Sequence, residues 1–413
     1  MERNQQQVVG TEQEQRVGQS PIPKLWNTNY CKVMSANLML YFSFYLLTPL
    51  LPLYLSEEFG ATKDMIGLVL MGYTITATLT RPLSGFLVDS YPRKKVLLWC
   101  FFLFFIFFGG YLAAGTLLMF AIIRTLHGAP FGALTVANST VAIDVLAPSR
   151  RTEGIGLYGL SNNIAMAVAP TVGIFVYNQT NNFMLLFWIA LVIALIGMLI
   201  DSTVTLRDRE LVKNKQKLSL DRFFLVRGWL LAVNMLFFGF CFGVLSNYLA
   251  IYGRDELGIT GGTGMYFMVL SVGLVASRLQ GRKSLREGKL SKNALEGIIL
   301  STIGYTVFVA VKNEYGYYLS ALLIGLGNGH MWPACQNMMV QMATSNQRGT
   351  ANSSIFVSWD AGLGVGVLVG GVIAELVSYR AAFWTVSAAH VIGLALFVWR
   401  TRGFFEKGRI CNG

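Results

Sequence analysis

The sequence predicts an all-α integral membrane protein whose twelve transmembrane helices form two pseudo-symmetric bundles of six. Three observations support this fold class. Of the 413 residues, 54% are hydrophobic and only 13% are charged, whereas a soluble domain carries about 25% charged residues. Long apolar runs recur along the whole chain, and the second half of the chain resembles the first at a fixed offset.

The apolar runs define the predicted spans. A helix needs about 20 mostly apolar residues to cross a bilayer, and runs of that length recur throughout. The alternation typical of barrel strands is missing, so helices are the expected spanning element. The predicted spans are residues 33–55, 65–88, 95–115, 117–141, 154–176, 183–205, 228–252, 264–281, 293–311, 316–341, 350–376 and 380–400. The fourth and tenth are partly polar.

The basic residues predict the orientation. With the N-terminus inside, 26 of the 33 Lys and Arg residues lie in cytoplasmic segments, four lie in outer loops and three lie within spans. Such a bias is typical of multi-pass membrane proteins. We therefore expect both termini in the cytoplasm. The net charge of +12 has this explanation, and nucleic-acid binding is not expected.

An internal repeat divides the chain. Residues 197 positions apart match at several places, and such matches spread over four spans are hard to attribute to chance. The pairs are Gly67 with Gly264, Arg81 with Arg278, 128–132 with 325–329, Arg151 with Arg348, and 169–173 with 366–370. The predicted units are a disordered cytoplasmic tail at 1–31, bundles at 32–205 and 228–402, a cytoplasmic linker at 206–227 and a short tail at 403–413.

Two parallel repeats of this kind imply a solute site near the membrane midplane, between bundles that rock against each other. A channel would need a filter or a ring of charges, and neither is visible. The three histidines have no catalytic or metal-binding spacing, and there is no ATP-binding pattern. We expect neither an enzyme nor a cofactor nor a bound metal. A receptor or scaffold remains an alternative.

The segment after the second predicted span carries a recognisable motif. Gly85-Phe-Leu-Val-Asp89-Ser-Tyr-Pro-Arg93-Lys-Lys95 resembles the G-x-L-x-D-R-x-G-R-R/K signature of the major facilitator superfamily, with Ser in its sixth position and Pro in its eighth. The resemblance implies the fold of that family. It also implies a conformational latch formed by Gly85, Asp89 and Arg93, to which we add the preceding Arg81.

Two further elements resemble motifs of the same family. Arg124-Thr-Leu-His127-Gly is similar to its R-x-x-Q-G element, which implies a role for Arg124 in proton coupling or substrate contact. Arg124 could instead tie helices together through carbonyl groups, and His127 is as readily a packing residue as a titrating one. The fifth span resembles the G-x-x-x-G-P-x-x-G element of proton-driven antiporters, with the matching positions Ala165, Ala169, Pro170 and Gly173.

Asp360 is the only carboxylate that we place at mid-membrane depth. Ionisable residues inside a membrane are costly and commonly functional. We therefore predict that Asp360 takes part in proton coupling, together with Arg124 and His127. The alternatives are a permanent ion pair or a hydrogen bond between helices.

Other polar and aromatic residues in the spans are candidates for the lining of a substrate cavity. Amides and histidines suit a polar or zwitterionic solute, and aromatic rings can stack on flat faces. Taken singly, each could equally be a packing residue. The candidates are Asn37, Tyr41, Asn162, Asn163, Asn234, Asn328, His330, Trp332, Gln336 and Trp359.

Over residues 30–400 the sequence is similar to bacterial drug/proton antiporters and arabinose-efflux-permease-like exporters of the superfamily. The resemblance implies a monomer in the bacterial inner membrane that exports a small organic molecule by proton-coupled alternating access. The alternative is a proton-coupled symporter, or a facilitator, for uptake of a sugar or another small nutrient.

Overall fold

A computed structural model describes residues 24–206, 220–259 and 262–409, and these residues are almost entirely helical. Most of the predicted N-terminal tail, most of the linker and the end of the C-terminal tail lie outside the described residues. The helices are α1 (Thr28–Leu47), α2 (Leu51–Phe59), α3 (Lys63–Ser90), α4 (Arg93–Ala113), α5 (Leu117–Asp144), α6 (Arg151–Thr180), α7 (Phe183–Ser202), α8 (Trp229–Leu257), α9 (Thr263–Arg286), α10 (Leu290–Ala310), α11 (Glu314–Gln341), α12 (Arg348–Leu376), α13 (Tyr379–Leu396) and α14 (Arg402–Gly408).

Each predicted span corresponds to one of these helices, and the first corresponds to α1 and α2 together. The break between α1 and α2 bends the chain by 43°, next to Pro49, which has no backbone N–H to continue the helical hydrogen bonds and whose ring crowds the preceding turn. Eight of the described helices are individually long and apolar enough to cross a membrane, and the bent pair makes nine. The helices α3, α9 and α11 are more polar than these. The tenth predicted span, which is α11, is therefore polar as expected, whereas the fourth, which is α5, is apolar enough to cross a membrane.

The polarity of α3 and α9 has a structural reason. These two helices face the opposite bundle, α3 against α12 and α9 against α6. Arg81 on α3 and Arg278 on α9 therefore meet protein groups of the other bundle rather than lipid, where an unpaired charge would be costly. In contrast, large apolar side chains such as Leu79, Leu118 and Leu368 are about 70% exposed, as expected of surfaces that contact lipid.

The repeat of the sequence is a repeat of the structure. Helices α4, α5 and α6 begin at residues 93, 117 and 151, and α10, α11 and α12 begin at 290, 314 and 348, which is 197 residues later in each case. The same tight contact recurs as well. A Cβ on Gly128 would lie 2.1 Å from the Tyr73 carbonyl oxygen, and a Cβ on Gly325 would lie 2.1 Å from the Leu270 carbonyl oxygen. Glycine at both positions lets α5 pack on α3, and α11 on α9, without a gap.

One end of the molecule holds the described linker residues 220–227, the end of α3 at Ser90 and the start of α12 at Arg348. We call this end the linker face and the opposite end the far face. The linker residues pack directly on α12, since the Leu225 amide donates to Ser354 Oγ at 2.7 Å. The linker face is therefore where the two bundles meet both the connecting chain and each other.

Candidate functional site

An ion pair joins the two bundles at the middle of their interface. Arg81 on α3 and Asp360 on α12 lie 2.6 Å apart, and their side chains are only 9% and 16% exposed. Thr78, one turn earlier on α3, donates a hydrogen bond to Asp360 Oδ2 at 3.2 Å. The guanidinium also lies 4.9 Å from the centre of the Phe356 ring. A cation from one bundle thus holds an anion from the other in a largely water-excluded place.

Aromatic side chains surround this pair. Trp332 and Trp359 pack edge to face with their ring centres 5.0 Å apart, and Trp332 also contacts Phe356 at 5.7 Å. From the first bundle, the Tyr41 side chain lies within electrostatic range of both Arg81 and Asp360. Rings at these positions offer flat apolar faces, and the pair offers both signs of charge. Such a site can bind an amphipathic organic solute or exchange a proton at the carboxylate.

A polar layer lies between the ion pair and the linker face. Ser353 Oγ donates to the Arg81 carbonyl oxygen at 2.5 Å. Gln336 donates to Asn352 at 3.0 Å, and Asn352 donates to Thr140 in the first bundle at 3.1 Å. Of the predicted cavity residues, Gln336 therefore belongs to this inter-bundle layer.

The predicted latch residues meet at the linker face. Asp89 Oδ1 accepts from the Gly349 amide at 2.9 Å, and Asp89 Oδ2 accepts from the Thr350 amide at 2.8 Å and from Thr350 Oγ1 at 2.9 Å. Asp89 thereby caps the N-terminus of α12, where backbone N–H groups lack helical partners and the helix dipole favours an anion. A Cβ on Gly85 would lie only 2.8 Å from Ser353 Cβ, so α3 and α12 can approach this closely only with glycine there.

Arg93 and Asp144 extend the latch. Arg93 pairs with Asp89 at 3.1 Å, forms an ion pair with Asp144 and donates to the Ser345 carbonyl oxygen at 3.1 Å. Arg348 from the second bundle lies 2.9 Å from Asp144. Arg81, which we grouped with the latch, lies instead at the ion pair with Asp360, two helical turns from Asp89.

Taken together, the polar bonds between the bundles run from Thr78 and Asp360 down to the linker face, within the part of the chain that the structure describes. The linker face is closed by them. Within this series, the carboxylate of Asp360 lies nearest the far face.

Arg124 and His127 form a separate site inside the first bundle. Arg124 lies 4.0 Å from the centre of the Tyr73 ring and donates to Tyr111 Oη at 3.0 Å, while His127 Nδ1 shares a hydrogen bond of 2.7 Å with the same oxygen. His127 is fully buried and packs against Phe104. Among the described residues, no carboxylate lies within ion-pair distance of Arg124. Aromatic faces take that role, since their negative potential stabilises a cation. The structure does not bring this pair to Asp360.

The remaining predicted cavity residues divide into two groups. Four of them are buried and make hydrogen bonds within their own bundle, namely Asn37, Asn234, Asn328 and His330. Tyr158 donates to Asn37 at 2.7 Å, and Asn234 donates to the Gly393 carbonyl at 2.8 Å. Ser301 donates to Asn328 at 3.1 Å, and His330 is bonded to Asn293 at 3.1 Å. Asn162 Oδ1 and Asn163 Nδ2 are buried on α6 with no hydrogen-bond partner in the described residues. The hydrogen-bonding capacity of these two amides is therefore not used up within the described residues.

The motif of the fifth span lies where α6 packs against α1. Ala165 and Ala169 are fully buried, and a Cβ on Gly173 would lie 2.2 Å from the Leu46 carbonyl oxygen. Pro170 lies within the continuous helix α6. Small residues here permit close helix contact; their link to antiport stays a prediction.

The sequence argument missed Thr78, Phe356, Thr140, Asn352 and Asp144. The repeat offered one usable signal. It relates Arg81 to Arg278 and Asp360 to Asn163, so only one of the two related interfaces can hold an ion pair at this depth. No metal-binding group of three or more His, Cys, Asp or Glu side chains occurs in the described residues.

Comparison with known proteins places this geometry in context. The family model described as "Major Facilitator Superfamily" matches residues 33–295 and 294–407. The staphylopine export protein of Staphylococcus aureus (strain Mu50 / ATCC 700699) is 23% identical over 348 residues, which cover 78% of this chain and 84% of that protein. The Na(+), Li(+), K(+)/H(+) antiporter of Planococcus maritimus is 25% identical over 184 residues, which cover 43% of this chain and 42% of that one.

The solved structure of the human organic anion transporter MFSD10 (TETRAN) superposes with a TM-score of 0.75. The match covers 89% of this chain and 98% of that chain, at 16% sequence identity. A likeness at this identity supports the fold alone. With the family match, it confirms the predicted class of twelve membrane helices in two six-helix bundles.

Proposed function

The chain belongs to the Major Facilitator Superfamily and is a multi-pass membrane transporter of that family, and we propose that it exports a small organic molecule in exchange for protons by alternating access. The observation that carries this proposal is the ion pair between Arg81 and Asp360. Its two charges come from different bundles, so any rocking motion of the bundles must break or form it. A relative that is named an export protein supports the direction, and a partly matching relative named as a cation/H(+) antiporter supports the coupling.

The proposed orientation places the linker face in the cytoplasm of a bacterium, because most basic residues lie on that side. We divide the chain into bundles at 32–205 and 228–402, joined by the linker at 206–227. In the described conformation the linker face is closed, so Asp360 is the first polar group of the closed interface that a proton meets on the way in from the far face. We propose that it exchanges its proton with the outside in this state.

Protonation of Asp360 would remove one charge of the pair and weaken the attachment of α3 to α12. The bundles would then separate at the linker face, where the proton is released and the solute binds in its place. Only states that hold a proton or a solute would switch readily, and this rule couples the two flows. The aromatic rings of Trp332, Trp359 and Tyr41 supply the apolar wall of the proposed site, and Asn162 and Asn163 supply unused hydrogen bonds.

The experiment uses the full chain in proteoliposomes with an imposed pH gradient. A panel of organic cations, zwitterions and sugars is offered, and both solute movement and internal pH are recorded. We expect the wild type to concentrate at least one compound on the side from which protons flow. Asp360→Asn should still equilibrate that compound down its own gradient but should not concentrate it.

The matched control is Asp255→Asn, because Asp255 is an exposed carboxylate that pairs with Arg254 on the surface. This variant should transport like the wild type. Undiminished accumulation by Asp360→Asn would contradict the proposed coupling. Movement of solute and protons in the same direction would contradict export and favour nutrient symport.

A further inference from the structure

A large cleft opens on the linker face, beside the latch residues and apart from the Arg81–Asp360 ion pair. Its volume is about 1300 Å³, which exceeds the roughly 300–1,000 Å³ of ordinary small-molecule pockets. Both bundles line it. The first bundle contributes Lys94, Arg151 and Asp144, and the second contributes Asn346 and Arg348.

The charge of this cleft is strongly one-sided. One carboxylate lines it, that of Asp144, together with five cationic side chains. The cations are Lys24, Arg93, Lys94, Arg151 and Arg348. Asp144 is already engaged by both Arg93 and Arg348. Lys24, Lys94 and Arg151 have no carboxylate within ion-pair distance among the described residues. Nε of Arg151 is buried without a hydrogen-bond partner.

The repeat explains why Arg151 is left without a carboxylate. Arg151 corresponds to Arg348, which pairs with Asp144 across the interface at 2.9 Å. The position related to Asp144 by the same offset of 197 is Gln341, a neutral residue. The carboxylate that would complete the symmetric pair is therefore absent. Beyond ion-pair distance, Arg151 lies in electrostatic range of Arg348, Asp144 and Arg93, and the carboxylate among these three is already paired with the other two.

Helix ends add to the positive potential. Helices α4, α6 and α12 begin at Arg93, Arg151 and Arg348, all of which line the cleft. The start of a helix carries a partial positive charge and favours anions. The N-terminal amides of α12 are already occupied by Asp89.

We propose that this basic cleft binds a phosphate group, with Arg151 as its principal ligand and Lys94 as a second. A planar guanidinium matches two phosphate oxygens at once, and an ammonium adds a point charge. The phosphate can belong to a soluble compound or to the head group of an anionic lipid at the membrane surface. Because both bundles line the cleft, bound phosphate stabilises the conformation in which the linker face is closed.

The test for a soluble source uses pyrophosphate as the probe, with the purified full chain in a neutral detergent at low ionic strength. Thermal unfolding is followed during titration. We expect the midpoint temperature of the wild type to rise with pyrophosphate, and the apparent affinity to fall by about tenfold in Arg151→Gln and in Lys94→Gln, as for the loss of one charged contact. The control is Lys312→Gln, since Lys312 is exposed between α10 and α11, away from the cleft.

The test for a lipid source uses nanodiscs of phosphatidylcholine with and without phosphatidylglycerol. Stabilisation by phosphatidylglycerol that disappears in Arg151→Gln and Lys94→Gln, but persists in Lys312→Gln, identifies the head group as the ligand. An equal response of all four proteins to both probes, or no response of the wild type to either, overturns the proposal. None of these readouts depends on transport, so failure here is distinguishable from failure of the proposed export function.

Discussion

The two interfaces between the bundles are related by the internal repeat, yet they are held together by different chemistry. Where α3 meets α12, Arg81 pairs with Asp360 in the buried middle of the interface. Where α9 meets α6, the related residues are Arg278 and Asn163. Arg278 there donates to the Gly156 carbonyl oxygen at 2.9 Å, and Asn163 Nδ2 is left without a partner.

The same contrast recurs at the linker face. The N-terminus of α12 is capped by Asp89, which belongs to the other bundle. The N-terminus of α6 carries its own acid, Glu153, which pairs with Arg150 at 2.8 Å and with Arg282 from the other bundle. Both helix starts thus receive a negative charge, but one of them receives it only while the bundles are in contact.

This difference assigns distinct roles to the two interfaces. A titratable carboxylate lies in the buried middle of the α3–α12 interface, so that interface can respond to a proton. At the middle of the α6–α9 interface the related residues are a guanidinium and an amide, neither of which changes charge near neutral pH. We infer that α3 and α12 form the switched contact and that α6 and α9 form a comparatively constant one.

The largest expected effect comes from leaving Asp360 without its cation. Removing one partner of a buried ion pair costs about 3–5 kcal/mol, so Arg81→Gln should displace the bundles strongly towards an open linker face. The double variant Arg81→Gln/Asp360→Asn should lie closer to the wild type. The measurement is the distance between spin labels at Lys95 and Lys292, in a background without reactive cysteines.

The control for this prediction is Arg278→Gln at the related interface, where the structure gives the cation a carbonyl partner rather than a carboxylate. A smaller displacement is expected there. If Arg278→Gln opened the linker face as far as Arg81→Gln does, the distinction between the interfaces would be wrong.

An intermediate effect is expected from crowding α3 against α12. Gly85→Ala would bring a Cβ to 2.8 Å from Ser353 Cβ and 2.9 Å from Thr350 Cα, and overpacking of this kind typically costs about 1–3 kcal/mol. The same spin-label distance should shift towards the open state. Gly67→Ala, on the same helix but with no atom within 4 Å of its Cβ, should leave the distribution unchanged; an equal shift in both would refute the steric explanation.

The smallest effect is expected at the α6–α9 interface. The Arg282 side chain is 47% exposed although Glu153 is buried, and Arg150 remains as a second partner for Glu153. Partly exposed pairs contribute about 0–1 kcal/mol. Arg282→Gln should therefore broaden the distance distribution only slightly. Added salt should reduce the difference between the variant and the wild type further. A large opening in this variant would show that the contact is not a minor one.

Much of the fold was predictable because it follows from local composition. Apolar length defines the spans, and the offset of 197 residues defines the repeat, which the helix starts at residues 93 and 290 reproduce. Asp360 was identifiable as a lone carboxylate at mid-membrane depth. The latch residues Asp89 and Arg93 were identifiable from their motif.

The partner of Asp360 was harder to predict, because three intramembrane arginines were available and Arg81 is 279 residues away in sequence. Packing angles between distant helices decide which cation reaches it. For the same reason, the sequence could not show that Asn234, Asn328 and His330 make their hydrogen bonds within the second bundle. A polar residue in a span looks the same in sequence whether it faces a cavity or a neighbouring helix.

The position of the ion pair along α3 has a mechanical consequence. From Arg81 to the start of α3 at Lys63 is about 27 Å, and from Arg81 to its end at Ser90 is about 14 Å, at a rise of 1.5 Å per residue. The tight contact at Gly128 makes α3 and α5 move as one body. Because the ion pair breaks when the bundles rock, the turning point of this body lies on the long arm rather than at Arg81. The short arm carries the latch beyond the pair, so Asp89 moves further than Arg81 does when the linker face opens, and the latch separates more widely than the ion pair.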